Sequence, residues 1–71
     1  MWTISIADID IWRTAWLMVE RYGDGAGFET AARADELMEA GDLDGAATWQ
    51  RILDAVDELQ RTQRTADELV N

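Results

Sequence analysis

Apolar residues recur with the period of an α-helix between residues 9 and 22, a stretch that contains neither Gly nor Pro. One broad apolar stripe comprises Ile11, Trp12, Ala15, Met18, Val19 and Tyr22, and Ile9, Trp16 and Leu17 lie along its edge. A helix that is apolar over so much of its circumference must be covered on more than one side. We therefore expect helix 1, residues 7–22, to be the central helix of a small helical domain.

Two more helical patterns follow, each after a short Gly-rich turn. Helix 2 is predicted over residues 26–40, and its apolar stripe comprises Phe28, Ala31, Ala34 and Met38. Asp35 lies beside this stripe, where we expect it to pair with an Arg at the rim of the core. Helix 3 is predicted over residues 43–63, with a stripe that comprises Ala46, Trp49, Ile52, Leu53, Val56, Leu59 and Gln63.

The residues between these patterns predict where each helix ends and the next begins. Gly23 and Gly41 are expected to end helices 1 and 2 in a left-handed backbone conformation. Asp24 and Asp42 are expected to cap the starts of helices 2 and 3, and Gly45 completes the second turn.

The order of these elements predicts an all-α fold, a small three-helix domain in which residues 1–71 form one unit. Because the connections are short, successive helices should run antiparallel, with helix 1 between helices 2 and 3. Residues 1–6 alternate apolar and polar side chains, which indicates a short extended N-terminal arm. The helical pattern weakens near the end, so residues 64–71 are predicted to form a tail.

Charge narrows the classes of partner. Fifteen Asp and Glu residues face six Arg and no Lys, for a net charge of −9. Direct binding to nucleic acid or to an anionic membrane surface would require the opposite sign. No apolar run reaches the roughly 20 residues that a membrane span needs, and no signal peptide is recognisable, so a cytoplasmic protein is expected.

The sequence offers little for catalysis or metal binding. It contains no Cys and no His, which removes the usual nucleophile, neutral-pH base and transition-metal ligands. Asp42 and Asp44 begin like a calcium loop, but the required Gly would be Ala47 and the bidentate Glu would be Leu53. Helix capping explains these carboxylates, so we expect no metal, no cofactor and no catalytic residue.

The four Trp residues divide into two groups. Trp12 and Trp49 lie centrally on helical stripes and are predicted to pack in the core. Trp2 and Trp16 lie off the main stripes and, with Ile4, are predicted to form an interface. Because helix 1 has more apolar circumference than two short helices can cover, a homo-oligomer is expected.

Several local features of the chain occur together: Asp10-Ile11-Trp12, Glu20-Arg21-Tyr22-Gly23, Phe28, Ala32, the turn of residues 40–45, Thr48-Trp49 and Ile52. These features resemble those of a family of short, acidic, helical bacterial proteins of unknown function. The resemblance covers roughly residues 8–60 and consists of caps, turns and core positions. It implies a shared helical fold and carries no activity.

Two functions stay open. The first is a non-catalytic protein-interaction module, an adaptor or regulator that binds another protein. The second is an acidic inhibitor from a mobile element, one that mimics nucleic acid and acts on a nucleic-acid-binding or defence protein. The second function requires a contiguous acidic docking surface, which would comprise Glu29, Glu36, Asp54, Asp57 and Glu58. Three basic residues interrupt that set in the sequence: Arg33, Arg51 and Arg61.

Overall fold

The computed structural model describes the backbone of residues 6–70 and the side chains of residues 8–65. Helix α1 extends over Ile6–Tyr22, α2 over Ala26–Glu39 and α3 over Leu43–Val70. A 3-10 turn, Gly23–Gly25, joins α1 directly to α2. The all-α prediction is confirmed for these residues. Three separate helices are not confirmed, because no non-helical residue separates α1 from α2. Helical residues continue through the 3-10 turn from 6 to 39 and then form a second stretch from 43 to 70.

Helix α3 organises the fold, and the prediction of a central helix 1 is wrong. Helix α3 packs along both α1 and α2, whereas α1 and α2 contact each other much less. Polar contacts follow the same arrangement. Arg51 of α3 forms an ion pair with Asp8 of α1 at 2.6 Å. Gln60 donates a hydrogen bond of 2.9 Å to the carbonyl oxygen of Gly23 at the corner between α1 and α2.

The helices meet through small side chains. The buried residues are Ile11, Ala15, Ala26, Thr30, Ala34, Ala46, Ile52, Ala55 and Val56, of which five are alanine. Alanine lets helix axes approach closely, and closely packed helices leave little room for bulky side chains between them. The predicted core position of Trp12 is accordingly wrong, since this side chain is 48% exposed. Trp49 is half-buried and packs against the edge of the core.

Helix α2 buries a face that shares only Ala34 with the predicted stripe. Its buried row is Ala26, Thr30 and Ala34, at a spacing of four residues. Phe28 and Met38, predicted for the core, are 78% and 55% exposed. The Thr30 hydroxyl donates a 2.7 Å hydrogen bond to the Ala26 carbonyl oxygen, so its burial leaves no donor unsatisfied. Small residues repeated at every fourth position were the signal that could have identified this face.

The turn between α2 and α3 has the hydrogen bonds of a Schellman motif. The amide of Asp42 donates to the carbonyl oxygen of Leu37 at 2.9 Å, and that of Gly41 donates to Met38 at 3.1 Å. Gly41 has a φ of 82°, a left-handed conformation that favours glycine. The Asp42 carboxylate then accepts a 2.9 Å hydrogen bond from the amide of Gly45 and caps α3.

The first turn differs from the prediction. Gly23 has a φ of 56°, but helicity resumes at once as a 3-10 turn that contains Asp24. The N-cap of α2 is Gly25, and no side chain caps it. Asp24 is therefore not the N-cap of α2, because the 3-10 turn already supplies the preceding helical hydrogen bonds.

The end of the chain is also more helical than predicted. Helix α3 continues to Val70, through most of the predicted tail of residues 64–71. No Gly or Pro follows Gly45 to stop it, and the hydroxyls of Thr62 and Thr65 donate to the carbonyl oxygens four residues earlier. Ile6, predicted for the arm, begins α1. The rest of the arm lies outside the described residues, and the single domain stays a prediction.

Candidate interaction surfaces

The first candidate surface lies on α1 and is called the Trp surface here. It consists of Ile9, Trp12 and Trp16, which are 45%, 48% and 48% exposed. Their spacing of three and four residues places them in one row on the helix. The buried residues Ile11 and Ala15 hold the adjacent row of α1 against α3. Two neighbouring tryptophans are thereby presented to solvent from one helix.

Two open clefts adjoin the Trp surface. The larger, of about 670 Å³, lies at the end of α1 and is lined by Trp16, Val19, Glu20, Gly23, Asp24, Gln60, Gln63 and Arg64. The smaller, of about 350 Å³, lies beside Trp12 and is lined also by Asp8, Ile11, Arg51, Asp54, Ala55 and Glu58. Both clefts combine an indole ring with carboxylates, and each contains one Arg. They suit a partner that offers both apolar and basic groups.

Of the predicted interface residues, Trp16 lies on this surface. Trp2 and Ile4 lie outside the described residues, so their contribution to an interface stays a prediction. Trp12 was missed, because its central position on the apolar stripe resembled that of a core residue. Leu17 is 54% exposed on another side of α1 and does not join the row.

The predicted acidic docking surface is divided by basic residues. Arg61 contacts Asp57 at 3.2 Å and Glu58 at 3.1 Å, and all three side chains are more than half exposed. Asp54 and Glu58 line the cleft beside Trp12, where Arg51 is paired with Asp8. Each of these exposed ion pairs stabilises the fold by no more than about 1 kcal/mol. Their effect on this face of α3 is to mix positive and negative charge.

Helix α2 retains a more uniform negative charge. Glu29 and Glu36 are exposed there together with Asp35 and Glu39. No ion pair involves these four carboxylates within the part of the chain that the structure describes. The predicted Asp35–Arg pair is therefore not found. Arg33, the basic residue of α2, places its guanidinium 5.5 Å from the centre of the Trp49 ring on α3.

The described residues contain no group of three or more carboxylates arranged to hold a metal ion. Among the helices of residues 6–70, none is long and apolar enough to cross a membrane.

The comparisons with known proteins give no relative to reason from. No family model, no curated protein and no solved structure matches the chain. The family resemblance of residues 8–60 stays a prediction.

Proposed function

We propose that this chain is a non-catalytic, acidic protein-interaction module, an adaptor or regulator that acts by binding another protein. The observation that carries the proposal is the exposure of Trp12 and Trp16, each 48% accessible, side by side on α1. Tryptophan is enriched among the residues that dominate binding energy at protein interfaces. Large apolar side chains that cluster at a surface mark sites of association.

The surroundings of the two tryptophans support the same proposal. The clefts beside them are open to solvent and are bordered by Asp54, Glu58 and Glu20. An apolar centre with a polar rim is the usual organisation of a protein interface. The non-catalytic part of the proposal rests on the sequence, which supplies neither His nor Cys.

Homo-oligomerisation, a cytoplasmic location and a three-helix domain with antiparallel successive helices belong to the same proposal. The helical arrangement is supported by contacts between α2 and α3. Near the start of α2, Gly23 contacts Gln60 of α3, whereas Arg33 contacts Trp49, closer to the start of α3. Self-association is supported by the Trp surface, which α3 leaves uncovered.

The nucleic-acid mimic is the less supported alternative. It would need an unbroken row of carboxylates spaced like phosphates. Arg51 and Arg61 form ion pairs on the face of α3 that would have to supply this row. Mixed charge of this kind suits an adaptor better than a mimic.

The experiment compares the full chain with the double variant Trp12→Ala/Trp16→Ala and with Leu43→Ala as a matched control. Leu43 is 64% exposed at the start of α3, away from the Trp surface. Each chain is immobilised and exposed to lysate of the native host, and the retained proteins are quantified by mass spectrometry. We expect the wild type and the control to retain one partner in equal amounts. The double variant should retain at least tenfold less of it, which corresponds to a loss of about 1.4 kcal/mol in binding free energy.

Two results would contradict the proposal. A retained set that is identical for all three chains would show that the tryptophans bind no partner. A sedimentation mass equal to one chain at micromolar concentration would contradict the proposed homo-oligomer.

A further inference from the structure

The outward side of α2 carries a row of residues that we call the α2 seam: Phe28, Ala31, Asp35 and Met38. Their spacing of three, four and three residues is that of the a and d positions of a heptad. Phe28 and Met38 are the most exposed large apolar residues of this helix, at 78% and 55%. Ala31 is half-buried and Asp35 is exposed. The seam has the pattern of a helix–helix contact surface.

The fold does not use this seam. Helix α2 packs on α3 through Ala26, Thr30 and Ala34, which lie on a different face. Phe28 retains 78% of its accessible surface in the presence of every described residue. An aromatic ring left so exposed forgoes the favourable free energy of removing its apolar surface from water. A partner helix laid along the seam would recover it.

Charge identifies the kind of partner. Asp35 lies within the seam itself, and Glu29, Glu36 and Glu39 lie on the outer side of the same helix. The guanidinium of Arg33 is directed to Trp49 of α3, so it does not neutralise the seam. An apolar row that contains one carboxylate, on a helix with three more exposed carboxylates, is complementary to a helix with apolar residues and Lys or Arg.

The same charges disfavour a second copy of the chain in this position. Two α2 helices would bring four carboxylates of one copy against four of the other, and like charges across an interface are costly. Asp35 would also be desolvated without a cation beside it, which is expensive for a carboxylate. A basic residue opposite Asp35 removes both penalties.

We propose that the α2 seam docks a basic amphipathic helix of a partner protein. Its apolar residues pack on Phe28 and Met38, and a Lys or Arg side chain pairs with Asp35. The seam lies on a helix of 14 residues, which corresponds to about 21 Å and to a partner segment of about four turns. This inference rests on the proposed function only in treating the chain as a binder of proteins, since it uses a different helix from the Trp surface.

The test uses a synthetic amphipathic helix of Leu, Ala and Lys, about four turns long, titrated into the full chain. Variants Phe28→Ala and Asp35→Asn are compared with matched controls on α1, Leu17→Ala and Asp10→Asn, which are exposed and remove the same kinds of group. We expect Phe28→Ala to raise the Kd of the peptide about tenfold and Asp35→Asn several-fold, with the controls within about twofold. Amide chemical shifts should change along residues 26–39.

A charge exchange separates specific docking from general attraction between opposite charges. A peptide whose central Lys is replaced by Glu should bind the wild type weakly, and Asp35→Lys should restore its affinity. Circular dichroism of each variant verifies that the helices are intact.

Several outcomes would overturn the inference. They are the absence of measurable peptide binding, equal effects of the seam variants and their controls, and dimerisation of the wild type that Phe28→Ala abolishes. If the peptide shifts the amides around Trp12 and Trp16 instead, the α2 inference fails while the proposed function stands. The proposed function fails separately if the Trp12→Ala/Trp16→Ala chain retains every partner of the wild type.

Discussion

At the scale of single residues, Asp42 and Gly45 form the most constrained contact of the second turn. The Asp42 carboxylate lies so close to Gly45 that a Cβ atom at this position would collide with it. The same carboxylate accepts the hydrogen bond from the Gly45 amide that caps α3. The missing side chain of Gly45 therefore leaves the space that the Asp42 carboxylate occupies when it caps α3.

This contact predicts strong coupling between substitutions at the two positions. Asp42→Ala should lower the free energy of unfolding by about 1 kcal/mol, the usual value of an N-cap. Gly45→Ala should be nearly neutral, because its gain in helix propensity of up to about 1 kcal/mol is offset by displacement of the cap. In a Gly45→Ala background, Asp42→Ala should then cost almost nothing. Urea denaturation of the four chains measures these differences.

Gly41→Ala provides the control, since it strains the left-handed residue of the same turn but lies outside the first turn of α3, where the carboxylate accepts its hydrogen bond. It should not change the cost of Asp42→Ala. Equal costs of Asp42→Ala with and without the Gly45 methyl group would show that the cap survives beside a Cβ atom.

At the scale of elements, the buried face of α2 is the point where pattern and structure disagree. Bulky apolar residues predicted one face, whereas Ala26, Thr30 and Ala34 form the contact with α3. Both faces have helical spacing, and the exposed one contains more apolar surface. The buried one is chosen because small residues let the two backbones approach each other closely.

The different exposure of Phe28, Ile52 and Ile9 predicts different losses of stability when each side chain is shortened. Phe28→Ala should change the free energy of unfolding by well under 1 kcal/mol, compared with about 3–5 kcal/mol for a phenylalanine in a core. Ile52→Val should cost about 1 kcal/mol because Ile52 is only 3% exposed. Ile9→Val, the same chemical change at a residue that is 45% exposed, should cost much less. Chemical denaturation of each variant tests the assignment.

The informative result is the ranking of the three costs. Should Phe28→Ala destabilise the chain more than Ile52→Val, the face of α2 that carries Phe28 would have to be buried.

At the scale of the whole molecule, shape explains why so much apolar surface is exposed. The Cα atoms extend over 46 × 37 × 15 Å. Packed helix axes lie about 8–10 Å apart, so a thickness of 15 Å accommodates no more than two layers of helix. In such a flat molecule, each helix has one side against a neighbour and another toward solvent. The Trp surface and the α2 seam are the outward sides of α1 and α2.

Net charge predicts how the whole chain responds to salt. With a net charge of −9, repulsion among the carboxylates opposes the folded state, and added salt screens this repulsion. Raising the ionic strength from about 0.01 M to about 1 M shortens the Debye length from about 30 Å to about 3 Å. We expect the Tm to rise by several degrees over this range, as measured by thermal unfolding followed by circular dichroism at constant pH.

A charge-reduced chain, Glu36→Gln/Asp54→Asn, is the matched control. It should melt higher at low salt and gain less from added salt. A Tm that falls with salt would instead mean that the ion pairs of Arg51 and Arg61 outweigh the repulsion.

The helical state, the break at the turn of Gly41 and the acidic character could be derived from the sequence by itself. Each depends on interactions within a few residues, such as the Schellman turn at Gly41 and the Asp42 cap, or on composition. Only the tertiary structure decided that α3 is central, that α2 buries its small residues, and that Trp12 and Phe28 face outward. The reason is that α1 and α2 each carry more apolar surface than one contact can cover. Which part is buried depends on how closely the partner helix can approach, and that is a property of two surfaces together.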